Sequence, residues 1–147
     1  MAPFRWFLQE RESLRAWGVP IATSLLFLGC RDAEDDLLYA DELRAYDAAG
    51  VAMLIITACS RVEGFPHRYV QHALEASADQ VWDAMQNDAV VLVCGNASTM
   101  APGVRAALVS VFRAKTGAGA GDGEAWLAGL RTSNRYLEDI WDETAVV

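Results

Sequence analysis

Positive charge is scarce in this 147-residue sequence: 12 Lys and Arg stand against 20 Asp and Glu, for a formal charge of −8. Binding to a nucleic-acid backbone needs a basic face, so that partner class is excluded, while a small anion held by a local basic cluster is not. Long apolar runs are also missing. The longest, residues 51–59 and 25–28, fall well short of the about 18 residues a membrane span requires, so no membrane partner is expected. No charged-then-apolar leader opens the chain, which argues against a secretory signal and for the cytoplasm. The three cysteines contain no Cys-x-x-Cys pair, which fits a reducing compartment better than a disulfide scaffold. The glycine-rich stretch 117–123 follows a helical pattern, whereas a dinucleotide phosphate loop must follow a strand. It therefore reads as a flexible connection between helices.

What is present is enough apolar material for a real core, at 53% hydrophobic and 22% charged residues, and the length suits one domain over residues 1–147. The organising stretch runs from Val90 to Ala101, where an unbroken apolar run ends at Cys94-Gly95 and small polar residues hand over to a helical pattern. Such a run reads as a buried parallel strand whose carboxyl end meets the ligand edge of an open α/β sheet. In chain order, the spacing predicts a helix from the first residues with Pro3 in its first turn, and a strand over 22–29. A helix over 39–49 stops at Gly50 and is followed by a strand over 51–58. Next come a loop over 59–67 and a helix over 70–87 bent near Ser77. A third strand starts at Val90. Helices over 100–116 and 124–130 and a last extended piece over 135–141 complete the order αβαβαβααβ. That alternation predicts an α/β fold, a parallel sheet with helices on both faces. Phe4, Phe7, Phe27 and Trp82 read as core.

Three groups of residues bear on chemistry. Cys30, Cys59 and Cys94 each close a predicted strand, either as thiolates converging on zinc or as small apolar residues packed at strand ends; the spacing offers no fourth ligand, and no metal is expected. Ser60-Arg61 after the second strand and Arg68-Tyr69-Val70-Gln71 at the start of the next helix combine a hydroxyl, two guanidinium groups and a phenol. They suit a phosphate monoester with an adenine stacked on the phenol, or else they are a solvated loop with incidental arginines. Asp139 and Trp141 sit on the last strand as a surface carboxylate and a core cap, or as site residues.

Over nearly its whole length the chain resembles the NADP-binding lobe of ferredoxin–NADP reductase-type modules, and in particular the diflavin reductases. The ordered set that carries the resemblance begins with Ala2-Pro3-Phe4-Arg5, Phe7-Leu8-Gln9-Glu10-Arg11, Gly29-Cys30-Arg31, Asp35, Leu38-Tyr39 and Glu42-Leu43. It continues with Ser60-Arg61, Tyr69-Val70-Gln71-His72, Val93-Cys94-Gly95, Met100-Ala101 and Arg135-Tyr136…Asp139-Ile140-Trp141. The pattern is most similar to bacterial fusions of a haem monooxygenase to its reductase. In that family NADPH gives a hydride to FAD, and electrons pass singly through FMN to a haem or metal acceptor. The resemblance implies that Ser60, Arg61 and Tyr69 hold the 2′-phosphate and adenosine, with Gln71 assisting and His67 and Arg68 beside the phosphate. It places Arg31 near the diphosphate and ribose and adds Met100 to the cofactor-binding set. Cys94 and Asp139 would flank the nicotinamide and Trp141 would stack on the flavin, these three forming the catalytic set. The implied partners are an FAD-binding lobe, in cis or trans, and a haem monooxygenase or other redox acceptor.

The chain also departs from that pattern. The family's glycine-rich turn and first, central strand are expected ahead of Ala2, so the fold is read as the lobe without that strand. Trp6 stands at a usually small position and is expected to crowd the first helix; Asn96 stands for the usual Asp, His67 for Lys, and Gly103 for a residue that is often acidic. The alternative function is a truncated, catalytically inactive nucleotide-binding or protein-docking α/β module.

Overall fold

A computed structural model of the chain describes residues 2–32, 36–37, 39–52 and 54–142. Asp35 and Leu38, two of the residues that carry the resemblance, lie outside the described residues. The chain forms two compact units, Met1–Val70 and Gln71–Val147.

The first unit contains α1 (Ala2–Ala16), β1 (Leu25–Cys30), α2 (Ala40–Ala48) and β2 (Leu54–Cys59). β1 and β2 run parallel in a register that sets Leu25 against Leu54 and, at the far end, Cys30 against Cys59. The core is a cluster of Leu8, Leu28, Leu43, Tyr46, Val51 and Ala52. Val51 and Ala52 were expected to open the second strand; they are buried in the turn before it, and β2 starts at Leu54. β1 likewise starts later than expected and extends to Cys30.

α1 is held on by arginine as much as by apolar contact. Arg5 forms a two-pronged salt bridge with Glu42 of α2, at 2.9 and 3.0 Å. Arg11 donates from Nε to the Val51 carbonyl at 3.0 Å, and Arg15 donates to the carbonyl of Ala49. Residues 4, 8, 11 and 15 recur at helical spacing, so one stripe carries both Leu8 and the arginine stems. Phe7 falls off that stripe and is 51% exposed, which corrects its reading as core. Trp6 points outward at 70% exposure, so its bulk does not crowd the helix. Phe4 and Phe27 are half-buried.

The second unit takes up α3 (Val70–Ala76) from its second residue, then α4 (Ala78–Gln86), β3 (Val91–Asn96), α5 (Met100–Thr116), α6 (Ala120–Thr132) and β4 (Tyr136–Trp141). The bend expected near Ser77 is a full break: Ser77 is buried and separates α3 from α4, and its carbonyl accepts from Val81 to start the second helix. β3 and β4 pair in parallel, Cys94 against Asp139 and Asn96 against Trp141. Among the described residues β1 pairs only with β2, and β3 only with β4.

α5 is the core of this unit, with Ala101, Val104, Ala107, Leu108 and Val111 buried. It ends as expected at Gly117, whose φ of +72° suits a residue without a Cβ. The glycine-rich stretch beyond is not a connection throughout. α6 begins at Ala120, and the Asp122 carboxylate accepts from the Gly119 N–H at 3.1 Å, so residues 120–123 are its first turn. Gly123 lets α6 lie close on α5, because a Cβ there would stand 2.7 Å from Cγ1 of Val109. Trp82, Phe112 and Trp126 cluster between α4, α5 and α6, with Phe112 and Trp126 stacked at 4.8 Å. Trp82 is half-buried in that cluster.

No helix among the described residues is long and apolar enough to cross a membrane. Leu108 is 1% exposed. Truncation of a side chain so placed loses its transfer energy and leaves a cavity, so Leu108→Ala is expected to cost about 2–5 kcal/mol. A shift in the urea unfolding midpoint checks this; a midpoint equal to that of the parent chain contradicts the placement.

Candidate functional site

The carboxyl ends of β1 and β2 carry the first group of residues. The strand register does not stop at Cys30 and Cys59: the Ser60 N–H donates to the Cys30 carbonyl at 3.0 Å and the Arg61 N–H to the Arg31 carbonyl at 2.9 Å. The Ser60 hydroxyl also reaches the Cys30 carbonyl, at 3.4 Å. Arg31 and Arg61, both exposed, thus leave from hydrogen-bonded neighbouring positions on two chains. Two arginines and a hydroxyl leaving from neighbouring backbone positions have the donor types that suit a phosphate.

The loop that follows is closed at its far end. The Cys59 N–H donates to the His67 carbonyl at 2.8 Å, which brings His67 back to the strand end. Arg68 lies over the ring of Tyr69, 5.5 Å from its centroid, and Tyr69 is 43% exposed. Ser60, Arg61, Arg31 and His67 are therefore tied to one strand end, with Arg68 and Tyr69 next along the chain. Gln71 belongs to the second unit and packs against Gly103: a Cβ at Gly103 would stand 3.1 Å from the Gln71 Cδ, so a larger residue there displaces the amide.

The ends of β3 and β4 carry the second group. Cys94 and Asp139 are register partners, Cys94 half-buried and Asp139 exposed. Two residues further on, Trp141 pairs with Asn96 and presents an indole that is 52% exposed. The Asn96 side-chain oxygen accepts from the N–H groups of Ser98 and Thr99, both at 2.9 Å, and from their hydroxyls at 2.8 and 3.0 Å. An amide oxygen with four donors fixes the turn that leads into α5. The Met100 thioether folds over Gly95, where a Cβ would stand 2.6 Å from its sulfur. Gly95 has φ +157°, a backbone conformation that calls for glycine, and any Cβ there would also push the methionine end aside. Glu138, between these positions, accepts from the Tyr136 hydroxyl at 2.6 Å and faces Arg105 and Arg131 at 3.4 Å. Burial, then this carboxylate, raise the Tyr136 phenol above its ordinary value.

Two features of these ends were not read from the sequence. One is the carbonyl anchoring of Ser60 and Arg61. The other is that two of the three strand-end thiols meet: Cys30 and Cys59 bring their sulfurs to 3.1 Å. Their adjacency follows from parallel pairing in the register that aligns Gly29-Cys30 with Ala58-Cys59. Among the described residues no group of three or more His, Cys, Asp and Glu side chains gathers as a metal site.

The profile of the oxidoreductase NAD-binding domain family matches residues 1–106. The chain is 42% identical over 142 residues, 96% of its length, to an NADPH–cytochrome P450 reductase of Aspergillus oryzae, and covers 20% of that protein. It is 38% identical over 141 residues to a bifunctional cytochrome P450/NADPH–P450 reductase of Bacillus subtilis, covering 13% of it. The chain thus spans about a fifth or less of the length of these relatives.

Burial pushes the Cys30 thiol up to about 12, helped by the contact with Cys59 and by the nearby charges of Asp36 and Asp32. The thiolate is the reactive form, so alkylation of Cys30 by iodoacetamide is expected to be slow at neutral pH. Its rate should rise about tenfold per pH unit between about pH 7 and pH 10. A rate that is flat across that range, followed by peptide mapping, contradicts the raised titration of this thiol.

Proposed function

Because the chain belongs to the oxidoreductase NAD-binding domain family, we propose that it is the NADP(H)-binding lobe of a flavin-dependent NADPH–haemoprotein reductase. In this reading NADPH and an FAD shared with a second lobe, with FMN in the parent enzyme, would supply hydride and single-electron chemistry toward a haem acceptor. The protein's part is alignment. Arg61, Arg31 and the Ser60 hydroxyl grip the phosphorylated ribose and neighbouring phosphates, with His67 and Arg68 adding positive or donor groups. Tyr69 stacks on adenine, and Gln71 assists. Cys94 and Asp139 would steady the nicotinamide, Met100 would line the approach over Gly95, and Trp141 would hold the flavin. The partners in this reading are the FAD-binding lobe and a haem monooxygenase, and the compartment is the cytoplasm.

The observation that carries the reading is the main-chain pairing of Ser60 with Cys30 and Arg61 with Arg31. It fixes the backbone from which a hydroxyl and two arginine side chains leave, which supports the reading by lowering the main-chain part of the ordering cost of binding a dianion.

Titration of the chain with NADP⁺ and with NAD⁺ is expected to show preference for the phosphorylated cofactor. Charged hydrogen bonds are worth about 1.5–3 kcal/mol, so Arg61→Ala should weaken NADP⁺ about tenfold to a hundredfold and leave NAD⁺ nearly unchanged. Equal affinity for the two cofactors, or no response to the substitution, counts against the assignment. The purified, flavin-free chain is further expected to show little or no NADPH oxidation with ferricyanide or cytochrome c as acceptor. Robust turnover by such a preparation would show that the chain does not depend on a second lobe.

A further inference from the structure

We propose that Cys30 and Cys59 form a thiol–disulfide couple, a redox modification site at the carboxyl ends of β1 and β2 whose state sets the position of the Ser60–Arg61 turn. Three observations converge. The two residues are register partners on adjacent parallel strands. Neighbouring strands run about 4.8 Å apart, within the range of Cα separations that a disulfide spans. The thiols are free and face each other with their sulfurs at 3.1 Å, so bond formation needs them to close by about 1 Å. Access is graded: Cys59 is 1% exposed, whereas Cys30 is partly open.

The chemistry balances with a low-molecular-weight disulfide such as oxidised glutathione. The Cys30 thiol gives up its proton, and its sulfur attacks one sulfur of the oxidant. That breaks the oxidant's S–S bond and expels a small thiolate, which takes the proton. The Cys59 sulfur, deprotonated in turn, attacks Cys30 Sγ and releases the second small thiol. Two electrons pass from the protein pair to the oxidant, one protein disulfide forms, and two small thiols are produced.

The backbone of this pair makes it more than a packing detail. The Cys30 carbonyl accepts from both the Ser60 N–H and its hydroxyl, and the Cys59 N–H donates to the His67 carbonyl. Drawing the sulfurs together therefore moves the two atoms from which the loop 60–67 is hung. The coupling to ligand rests on the proposed role of Ser60 and Arg61 in nucleotide binding; the thiol couple itself does not. With that role, oxidation weakens NADP⁺ about tenfold. By reciprocity, saturating NADP⁺ then raises the reduction potential of the pair by about 30 mV.

The test equilibrates the full chain in glutathione buffers of graded ratio, at mildly alkaline pH so that exchange goes to completion. Peptide mapping reads the linkage, and a titration with NADP⁺ follows on the reduced and oxidised forms. Expected are one Cys30–Cys59 cross-link with Cys94 left free, and a tenfold weaker NADP⁺ after oxidation. Cys59→Ala should stop at a mixed disulfide on Cys30, and Cys30→Ala should take up no glutathione at Cys59. Absence of the cross-link in the most oxidising buffer overturns the couple, as does cross-linking to Cys94 instead. A cross-link with NADP⁺ affinity unchanged, in a chain whose Arg61→Ala variant does bind NADP⁺ more weakly, overturns the coupling. A cross-link together with an Arg61→Ala variant of unaltered affinity overturns the nucleotide role of the turn and leaves the couple standing.

Discussion

One hydrogen-bond handover organises the first unit. The ladder between β1 and β2 runs past its last strand residues, so the Cys30 and Arg31 carbonyls go on to hold Ser60 and Arg61. A backbone carbonyl at a strand end must find a donor when it leaves the sheet, and here the donors belong to the residues proposed to grip phosphate. Pairing that satisfies the sheet also fixes the backbone positions from which those side chains leave. The same pairing brings Cys30 and Cys59 together, so the apolar edge of the sheet and the polar turn above it answer to one register.

The second unit pins its strand ends by different means. Its strand end passes through Gly95 into the Asn96 turn, where one amide oxygen gathers four donors before α5 begins. Glu138 is held from three sides by Tyr136, Arg105 and Arg131, which ties β4 to α5 and α6. A carboxylate with that many partners is a fixed point beside Asp139, whose own carboxylate is exposed. Each unit therefore combines a pinned backbone with exposed functional groups, so the main-chain part of the ordering cost of meeting a ligand is met in advance.

Much of this was legible from residue order. Apolar runs ending in Gly-Cys, Ala-Cys or Cys-Gly mark three of the strands, Gly117 marks the end of α5, and Ser77 is legible as a bend where the structure breaks the helix into α3 and α4. Phe7 was misread because periodicity alone does not tell which neighbouring stripe of a helix will be covered; arginine stems at 11 and 15 took the place of a second phenylalanine. The glycine-rich stretch was misread because glycine argues against a helix by propensity, whereas Asp122 capping Gly119 and the close approach of Gly123 to Val109 favour one. Those gains are made between segments and leave no trace in local composition.

The sequence by itself determined the alternation of helices and strands, the parallel α/β class, and the gathering of Ser, Arg, Cys and Asp at strand ends, because each of these follows from local patterns of polarity and turn residues. Only the tertiary structure decided which strand-end residues face one another. Register is a property of two segments at once, and a slip of one residue would turn Cys30 away from Cys59 and Ser60 away from the Cys30 carbonyl. That pairwise choice, made by the buried side chains of β1 and β2 and the helices packed on them, converts a list of suitable residue types into an arranged set.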